Sequence, residues 1–89
     1  MIEFDPAKDA VNRAKHGISL AAGAELLQGP ILVMSDDRRD YGEDRFRAAG
    51  SVLGVVYVCT YTYRDGRERI ISLRPANRKE RRSYEQKFT

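Results

Sequence analysis

The feature that most constrains the fold is a pair of strand-forming runs joined by a turn. Residues 55–63, VVYVCTYTY, are almost entirely β-branched or aromatic, and residues 67–74, RERIISLR, form a second run with Ile70, Ile71 and Leu73 among polar residues. These residue types favour extended backbone. Between the runs, residues 64–66 contain the Asp-Gly pair that is typical of tight hairpin turns. The sequence therefore predicts an antiparallel hairpin around which the rest of the chain packs.

Two registers of this hairpin are possible, and they place different side chains on each face. A two-residue turn pairs Arg64 with Arg67, whereas a three-residue turn with Gly66 in a left-handed bulge pairs Tyr63 with Arg67. We expect the second register, because it separates an apolar face from a polar one more completely. In that register the polar face carries a row that continues into the last helix: Thr62, Ser72, Arg74 and Arg78.

The N-terminal part of the chain predicts a first helix with two different faces. Asp5 and Pro6 are typical of a helix start, and Gly17 is typical of a helix end. Apolar residues recur at helical spacing between them, and polar residues fall on the opposite side. The apolar set is Ala7, Ala10, Val11 and Ala14, and the polar set is Lys8, Asn12, Lys15 and His16.

The remaining segments complete an α+β pattern. Ser19 is a cap for a second helix that runs to about Gln28, and Asn77 with Glu80 resembles a capping box for a closing helix. Strands are expected over 31–35 and 45–51, with a charged loop over 36–44. The order predicts a small antiparallel sheet of about four strands plus a short N-terminal strand, with two N-terminal helices and one C-terminal helix. We expect one domain over residues 1–89.

Composition narrows the class of protein. One cysteine, Cys59, cannot form an intramolecular disulfide, and no apolar run approaches the roughly 20 residues of a membrane span. We therefore expect a cytoplasmic protein with no membrane partner. Residues 64–89 carry nine Lys and Arg against four Asp and Glu, a net charge of +5, so this end is the one expected to face a polyanion.

The chemistry available to the chain is limited. One histidine and one cysteine cannot close a zinc site, and no glycine-rich phosphate loop or nucleophile elbow is present, so we expect no metal and no cofactor. What remains is a set of arginines with hydroxyl groups and a single imidazole. Such a set suits binding a phosphodiester and stabilising the charge of its pentavalent transition state.

Cleavage of RNA by its own 2′-hydroxyl needs a base, a cation and an acid. His16 is the candidate proton-transfer group, because imidazole exchanges protons near neutral pH. Its position at a helix end also suits a plain end-cap role, so both roles stay open. Tyr84 is a candidate for stacking on a base or donating a proton, although an aromatic residue in a terminal helix is more often core. The predicted catalytic residues are His16, Arg64, Arg74 and Arg78, and the predicted substrate-binding residues are Lys15, Thr62, Ser72 and Tyr84.

Two spaced patterns resemble one known family. The first, D-x-x-K-x-x-x-N-x-x-K-H-G, runs from Asp5 to Gly17, and the second, I-S-x-R-x-A-x-R-x-E-R, runs from Ile71 to Arg81. Together they resemble the BrnT toxins of BrnT–BrnA toxin–antitoxin modules. Phe4 stands where that family often has Trp, and Leu20 stands where it often has Phe.

The resemblance implies a RelE-like fold and RNA cleavage that inhibits translation and growth. It also implies a cognate BrnA-like antitoxin with a ribbon-helix-helix DNA-binding domain, and contact with promoter DNA only through the antitoxin complex. An alternative is a small basic nucleic-acid-binding module without turnover, or a degenerate toxin kept as a co-repressor subunit.

Overall fold

A five-stranded mixed sheet organises the fold. The structure is a computed structural model and describes residues 2–36 and 42–88. The strands lie in the order β1-β5-β4-β3-β2, with β1 parallel to β5 and the other neighbours antiparallel. The elements are β1 (Ile2–Glu3), α1 (Pro6–His16), a 3₁₀ helix (Leu20–Ala22), α2 (Gly23–Gln28), β2 (Leu32–Ser35), β3 (Phe46–Val52), β4 (Val55–Arg64), β5 (Arg67–Pro75) and α3 (Arg78–Phe88).

This architecture confirms the predicted α+β class and element order. The sheet is mixed rather than purely antiparallel, because the short N-terminal strand pairs in parallel with β5. Part of the predicted loop over 36–44 lies outside the described residues. Within the described part of the chain, no helix is long and apolar enough to cross a membrane.

The predicted register of the central hairpin is wrong at the turn. Arg64 pairs with Arg67 across a two-residue turn, in which Asp65 has φ 55° and Gly66 has φ 75°. Both positions of a tight twisted hairpin turn require positive φ, and Asp and Gly are residues that accept it. The Asp-Gly pair therefore decided the turn, against the face argument that favoured three residues.

A β-bulge in β5 reconciles this turn with a clean separation of faces. Tyr61 pairs with Ile70 and Thr60 pairs with Ser72, so Ile71 is the extra residue. The extra residue puts both Ile70 and Leu73 on the core face, where they are almost fully buried. Without the bulge, one of them would have pointed to the other side.

The two sheet faces pack against different helices. On one face, Leu20 and Leu26 cover Cys59 and Leu73, and all four side chains are fully buried. On the opposite face, Tyr84 of α3 packs in a smaller buried cluster; its other buried members are Ala49, Val58 and Ala76. The sheet is thus the middle layer between the N-terminal helices and α3.

Helix α1 has the predicted ends, and its polar side is the buried one. Asp5 Oδ1 accepts a hydrogen bond from Ala7 N at 2.8 Å, and Gly17 closes the helix with φ 73°. The apolar stripe is nevertheless exposed, with Val11 64% accessible, whereas Asn12 on the polar face is buried. The side of α1 that faces the sheet is therefore the polar one.

The amide of Asn12 explains this orientation. Its Nδ2 donates to Leu73 O at 2.8 Å and to Ile18 O at 2.9 Å, and its Oδ1 accepts from Leu73 N at 3.1 Å. β1 pairs with β5 only as far as Arg69, so the later part of β5 has a free edge. Asn12 supplies the donor and the acceptor that a neighbouring strand would have supplied.

The other predicted helix starts are confirmed. Ser19 Oγ accepts from Ala21 N at 3.1 Å at the start of the 3₁₀ turn that leads into α2. At α3, Glu80 N donates to Asn77 Oδ1 at 2.8 Å and Asn77 N donates to Glu80 Oε1 at 2.9 Å. This reciprocal pair is the capping box read from the sequence.

Candidate functional site

The eight predicted site residues lie in three separate places. One group lies between α1 and β5, a second group lies at the hairpin end of β4, and a third lies around the start of α3. The first group is Lys15, His16 and Ser72, the second is Thr62 and Arg64, and the third is Arg74, Arg78 and Tyr84.

The first group lines a surface cleft of about 320 Å³, which we call the α1–β5 cleft. This volume is at the lower end of the range for small-ligand sites. The cleft has a polar part and an apolar part on neighbouring walls. The polar lining residues are Lys8, Asn12, Lys15, His16 and Ser72, and the apolar ones are Ala7, Val11 and Ile71.

The spacing of residues along α1 builds this cleft. Lys8, Lys15 and His16 stand four before, three after and four after Asn12, so they share its side of the helix. Because Asn12 is bonded to Leu73, it holds this side of α1 against β5 next to Ser72. A buried structural amide thus positions the polar groups of the cleft.

The basic side chains of the cleft have no polar partner in the described part of the chain. Within residues 2–36 and 42–88, no ion pair or side-chain hydrogen bond engages Lys8, Lys15 or His16. His16, the last residue of α1, is half-buried. The α1–β5 cleft therefore has positive charge available to an incoming anion.

A second basic surface lies on the α3 side of the sheet. Cross-strand pairing and alternation place six arginines on this side, which we call the arginine face. Most of them are paired with a carboxylate: Glu43 lies 3.2 Å from both Arg45 and Arg64, Glu3 lies 2.6 Å from Arg69 and 3.9 Å from Arg67, and Glu80 lies 2.8 Å from Arg74. The sixth is Arg47, which pairs with Thr60 across β3 and β4.

The Arg74–Glu80 pair is the strongest of these contacts. Arg74 Nη1 and Nη2 donate to the two carboxylate oxygens of Glu80, each at 2.8 Å. These bonds from Arg74, opposed by partial desolvation and aided by the backbone of Asn77, lower the pKa of Glu80 to about 2. Arg74 therefore ties β5 to the capping box of α3 as well as carrying charge.

The hairpin end holds the second group of predicted residues. Although desolvation opposes the shift, hydrogen bonds from Arg64 and Arg45 lower the pKa of Glu43. Thr62 is almost fully buried, and its hydroxyl donates to Asp44 O at 2.6 Å. Thr62 therefore fastens the segment around Glu43 to the sheet, and it is not exposed for the substrate contact that the sequence predicted.

The predicted substrate contact of Tyr84 is also inconsistent with its position. Its ring is 8% exposed in the cluster beneath α3, and its hydroxyl donates to Pro30 O at 3.0 Å. An aromatic side chain in an amphipathic terminal helix packs inward because burial of the ring is favourable. Tyr84 is a core residue, which was the alternative left open by the sequence.

Other titratable groups of the core are unsuited to proton transfer near neutral pH. Burial raises the pKa of Cys59 to about 12, with a smaller contribution from the charge of Glu68. Burial likewise raises the pKa of Tyr61 to about 12. In the part of the chain that the structure describes, no group of three His, Cys, Asp or Glu side chains is arranged to hold a metal ion.

Sequence reasoning missed Arg45, Arg47 and Arg69, and it missed the carboxylates that pair with Arg45 and Arg69. The alternation of Arg45 and Arg47 around Phe46 was visible, but it carries meaning only once the register with β4 is known. The pairing of Glu3 with Arg69 depends on the parallel addition of β1. Neither signal is local in the sequence.

A comparison with models of known protein families matches residues 4–80 to the ribonuclease toxin BrnT of type II toxin–antitoxin systems. The chain belongs to the BrnT family. The match covers the whole of the first pattern and all of the second except Arg81, including α1 and the Arg74–Glu80 pair. No curated protein matches the chain.

Membership in the BrnT family gives the general activity of this chain. This BrnT-family chain is a ribonuclease toxin of a type II system, so RNA is its substrate and an antitoxin is its partner. RNA is a polyanion, and its binding is consistent with the two basic surfaces, the α1–β5 cleft and the arginine face.

Proposed function

We propose that this toxin is an endoribonuclease that cleaves RNA without a metal ion, and that the reaction takes place in the α1–β5 cleft. The observation that carries the proposal is the meeting of three predicted site residues in one cleft. His16, the only histidine of the chain, lies there with Lys15 and Ser72. No other described group combines an imidazole with unpaired cations.

The proposed reaction uses the 2′-hydroxyl of the RNA as the nucleophile. His16 accepts the proton of that hydroxyl while its oxygen forms a bond to the adjacent phosphorus. The bond from phosphorus to the 5′-oxygen breaks, and that oxygen takes a proton from solvent. The products are a 2′,3′-cyclic phosphate and a 5′-hydroxyl, so atoms and charge balance without a cofactor.

The remaining groups of the cleft fit supporting roles. The ammonium groups of Lys8 and Lys15 oppose the charge that develops on the phosphorane, and the hydroxyl of Ser72 donates to a phosphate oxygen. The apolar wall formed by Val11 and Ile71 suits contact with a base or ribose. These assignments extend the substrate-binding roles predicted for Lys15 and Ser72.

The predicted catalytic arginines differ in their relation to this cleft. Arg74 follows Ser72 by two residues on the same strand face, a separation of about 7 Å along β5. Arg78 is exposed at the first residue of α3. Arg64 pairs with Arg67, which is five residues or roughly 16 Å along β5 from Ser72. We assign Arg74 and Arg78 to binding the flanking RNA, and Arg64 to a more distant phosphate.

The family resemblance supports three further parts of the proposal. These are a RelE-like fold organised as one domain over residues 1–89, neutralisation by a BrnA-like antitoxin with a ribbon-helix-helix domain, and contact with promoter DNA only through the antitoxin complex. The sequence of the adjacent open reading frame tests the second part directly, since a ribbon-helix-helix protein encoded there is the expected result.

The chemistry is tested with purified protein and a labelled RNA oligonucleotide in excess EDTA. We expect cleavage to continue in EDTA and to leave a 2′,3′-cyclic phosphate on the 5′ fragment. A 2′-deoxy substitution at the cut site should abolish cleavage at that bond only. Cleavage that stops in EDTA and returns with a divalent cation would contradict the proposed mechanism.

The biological activity is tested by expression with and without the antitoxin. We expect growth arrest from the toxin alone and relief when the neighbouring gene product is co-expressed. RNA binding with no cleavage and no arrest would instead favour the alternative, a nucleic-acid-binding module or a degenerate toxin that acts as a co-repressor.

A further inference from the structure

We propose that a second cleft, between β2, β3 and the start of α3, holds a neighbouring nucleotide of the same RNA strand. Its volume is about 270 Å³. The choice of RNA as the ligand rests on the activity proposed above. The cleft is lined by Leu32, Met34, Arg47, Ala49, Asn77, Lys79, Glu80 and Ser83.

The unsatisfied Nε–H of Arg47 points to a ligand in this cleft. Its Nε is buried and has no hydrogen-bond partner among the described residues. The other arginines of the arginine face are each paired with a carboxylate, as described above. The charge of Arg47 also acts on Glu80, but its buried Nε–H has no acceptor. A buried donor without an acceptor is unfavourable and rare, so this site favours an incoming anion.

The neighbours of Arg47 supply both charge and an apolar surface. Lys79 adds a second cation at the rim, and the carboxylate of Glu80 is already held by Arg74. Leu32 and Met34 line the cleft with apolar side chains. A cationic rim beside an apolar wall matches a nucleotide, which joins a phosphate to a flat base.

The sheet connects this second cleft to the α1–β5 cleft. The registers place one residue of each of four strands in a single cross-strand row on the arginine face: Ser72, Thr60, Arg47 and Met34. Ser72 lines the first cleft, and Arg47 and Met34 line the second. Two strand spacings, about 10 Å, separate Ser72 from Arg47. One nucleotide is too small to fill both clefts, so a single strand laid across the row would occupy them with different nucleotides.

The test measures binding of an RNA that cannot react. The probe is a single-stranded 2′-O-methyl RNA of about eight nucleotides, followed by fluorescence anisotropy. We expect Arg47→Gln to weaken binding about tenfold and to reduce the salt slope by about one, because one phosphate contact is lost. Arg13→Gln removes the same charge from the exposed side of α1 and should change affinity less than about twofold.

A second pair of variants keeps the test independent of the folding of Arg47→Gln. Ser83 is exposed at the cleft, and Gln86 is exposed on α3 without lining it. Ser83→Glu should repel the phosphate and weaken binding, whereas Gln86→Glu should not. Wild-type affinity in Ser83→Glu, or in a folded Arg47→Gln, would overturn the proposal.

Two further readouts distinguish this cleft from the catalytic cleft and from a surface that binds the antitoxin. With cleavable RNA, Arg47→Gln should raise KM with little change in kcat; a fall in kcat at unchanged KM would overturn the subsite. Lost antitoxin affinity with unchanged RNA affinity would assign the cleft to the protein partner and also overturn it. Arg47-dependent binding by a wild-type protein that cuts no RNA would refute the proposed cleavage and leave this cleft supported.

Discussion

Asn12 shows how one buried amide can outweigh an apolar stripe. Its three hydrogen bonds satisfy both backbone groups of Leu73 at the edge of β5 and the carbonyl of Ile18. Buried backbone groups without partners would cost free energy of folding. This cost exceeds the free energy that burial of three alanines and a valine would contribute at this position. The orientation of α1, and with it the α1–β5 cleft, follows from this residue.

Replacing Asn12 with Leu should destabilise the protein although it adds apolar surface. The backbone N–H and C=O of Leu73 would be left without partners, so we expect the free energy of unfolding to fall by about 2–4 kcal/mol. Urea denaturation measures the loss. Gln86→Leu, at an exposed position of α3, should change stability by less than about 0.5 kcal/mol. A loss this small in Asn12→Leu would contradict the role assigned to the amide.

His16 has two candidate roles, catalysis and helix capping, and a substitution distinguishes them. Gly17 N already donates to Arg13 O, so the C-terminal cap does not need the imidazole. We expect His16→Ala to lower the cleavage rate at least about 100-fold, because proton transfer contributes this much. Its melting temperature should change by only a few degrees.

Arg13→Ala is the matched control for His16→Ala. Both residues are basic and lie in the last turn of α1, so both interact with the helix dipole to a similar degree. Arg13→Ala should lose a similar small amount of stability and keep its cleavage rate. Retained cleavage in His16→Ala would return His16 to the end-cap role.

At the scale of elements, two tight turns join the three central strands. Leu53 and Gly54 join β3 to β4 with φ 51° and 81°, and Asp65 and Gly66 join β4 to β5 in the same way. Asp-Gly suits this geometry, whereas Leu at a positive φ is strained. The bulge at Ile71 then restores the separation of faces that the short turn would have lost.

The strained turn gives a prediction about stability. Leu53 is 91% exposed, so replacing it removes almost no packing. Leu53→Asn should relieve the left-handed strain and raise the free energy of unfolding by about 0.5–1 kcal/mol, a few degrees in melting temperature. Thermal unfolding followed by circular dichroism measures the change. An unchanged or lower melting temperature would show that the turn stores no strain.

At the scale of the whole molecule, carboxylates bind separate parts of the chain together. Glu3 joins β1 to β5, Glu43 joins the segment before β3 to the end of β4, and Glu80 joins α3 to β5. The same contacts offset much of the charge of the arginine face. In the described part of the chain, Lys8 and Lys15 of the α1–β5 cleft have no such carboxylate partner.

These carboxylates predict a loss of stability in acid. The pKa of Glu80 is lowered to about 2 from its ordinary 4.5, so the unfolded state binds more protons between these values. The stabilisation is complete above about pH 4.5 and is lost as pH falls toward 2. Glu80→Gln, which keeps a capping side chain, should be less stable than wild type by about 1–2 kcal/mol at pH 6.

Urea denaturation at several pH values checks this prediction. The difference between wild type and Glu80→Gln should shrink as the pH is lowered toward 2, because the wild-type carboxylate becomes protonated. Glu25→Gln, which neutralises an exposed carboxylate of α2, should follow wild type at every pH. A difference that stays constant from pH 6 to pH 2.5 would show that charge on Glu80 is not the cause.

The sequence by itself determined the local features of this protein. The caps at Asp5, Gly17 and Ser19, the capping box at Asn77 and Glu80, and the order of elements along the chain were readable because each depends on residues close together in the chain. Spaced patterns at both ends likewise indicated the BrnT family. The inward positions of Thr62 and Tyr84 were not decided by any such local signal.

Tertiary structure alone decided which residues meet. The bulge at Ile71, the parallel addition of β1 and the bonds from Asn12 to Leu73 join segments up to 66 residues apart, and no local pattern encodes them. They set which side of α1 faces β5, and they brought His16 into one cleft with Ser72. They also left the buried Nε of Arg47 without a hydrogen-bond partner among the described residues. Registry between distant strands sets these positions, because a shift of one residue moves every side chain to the other face.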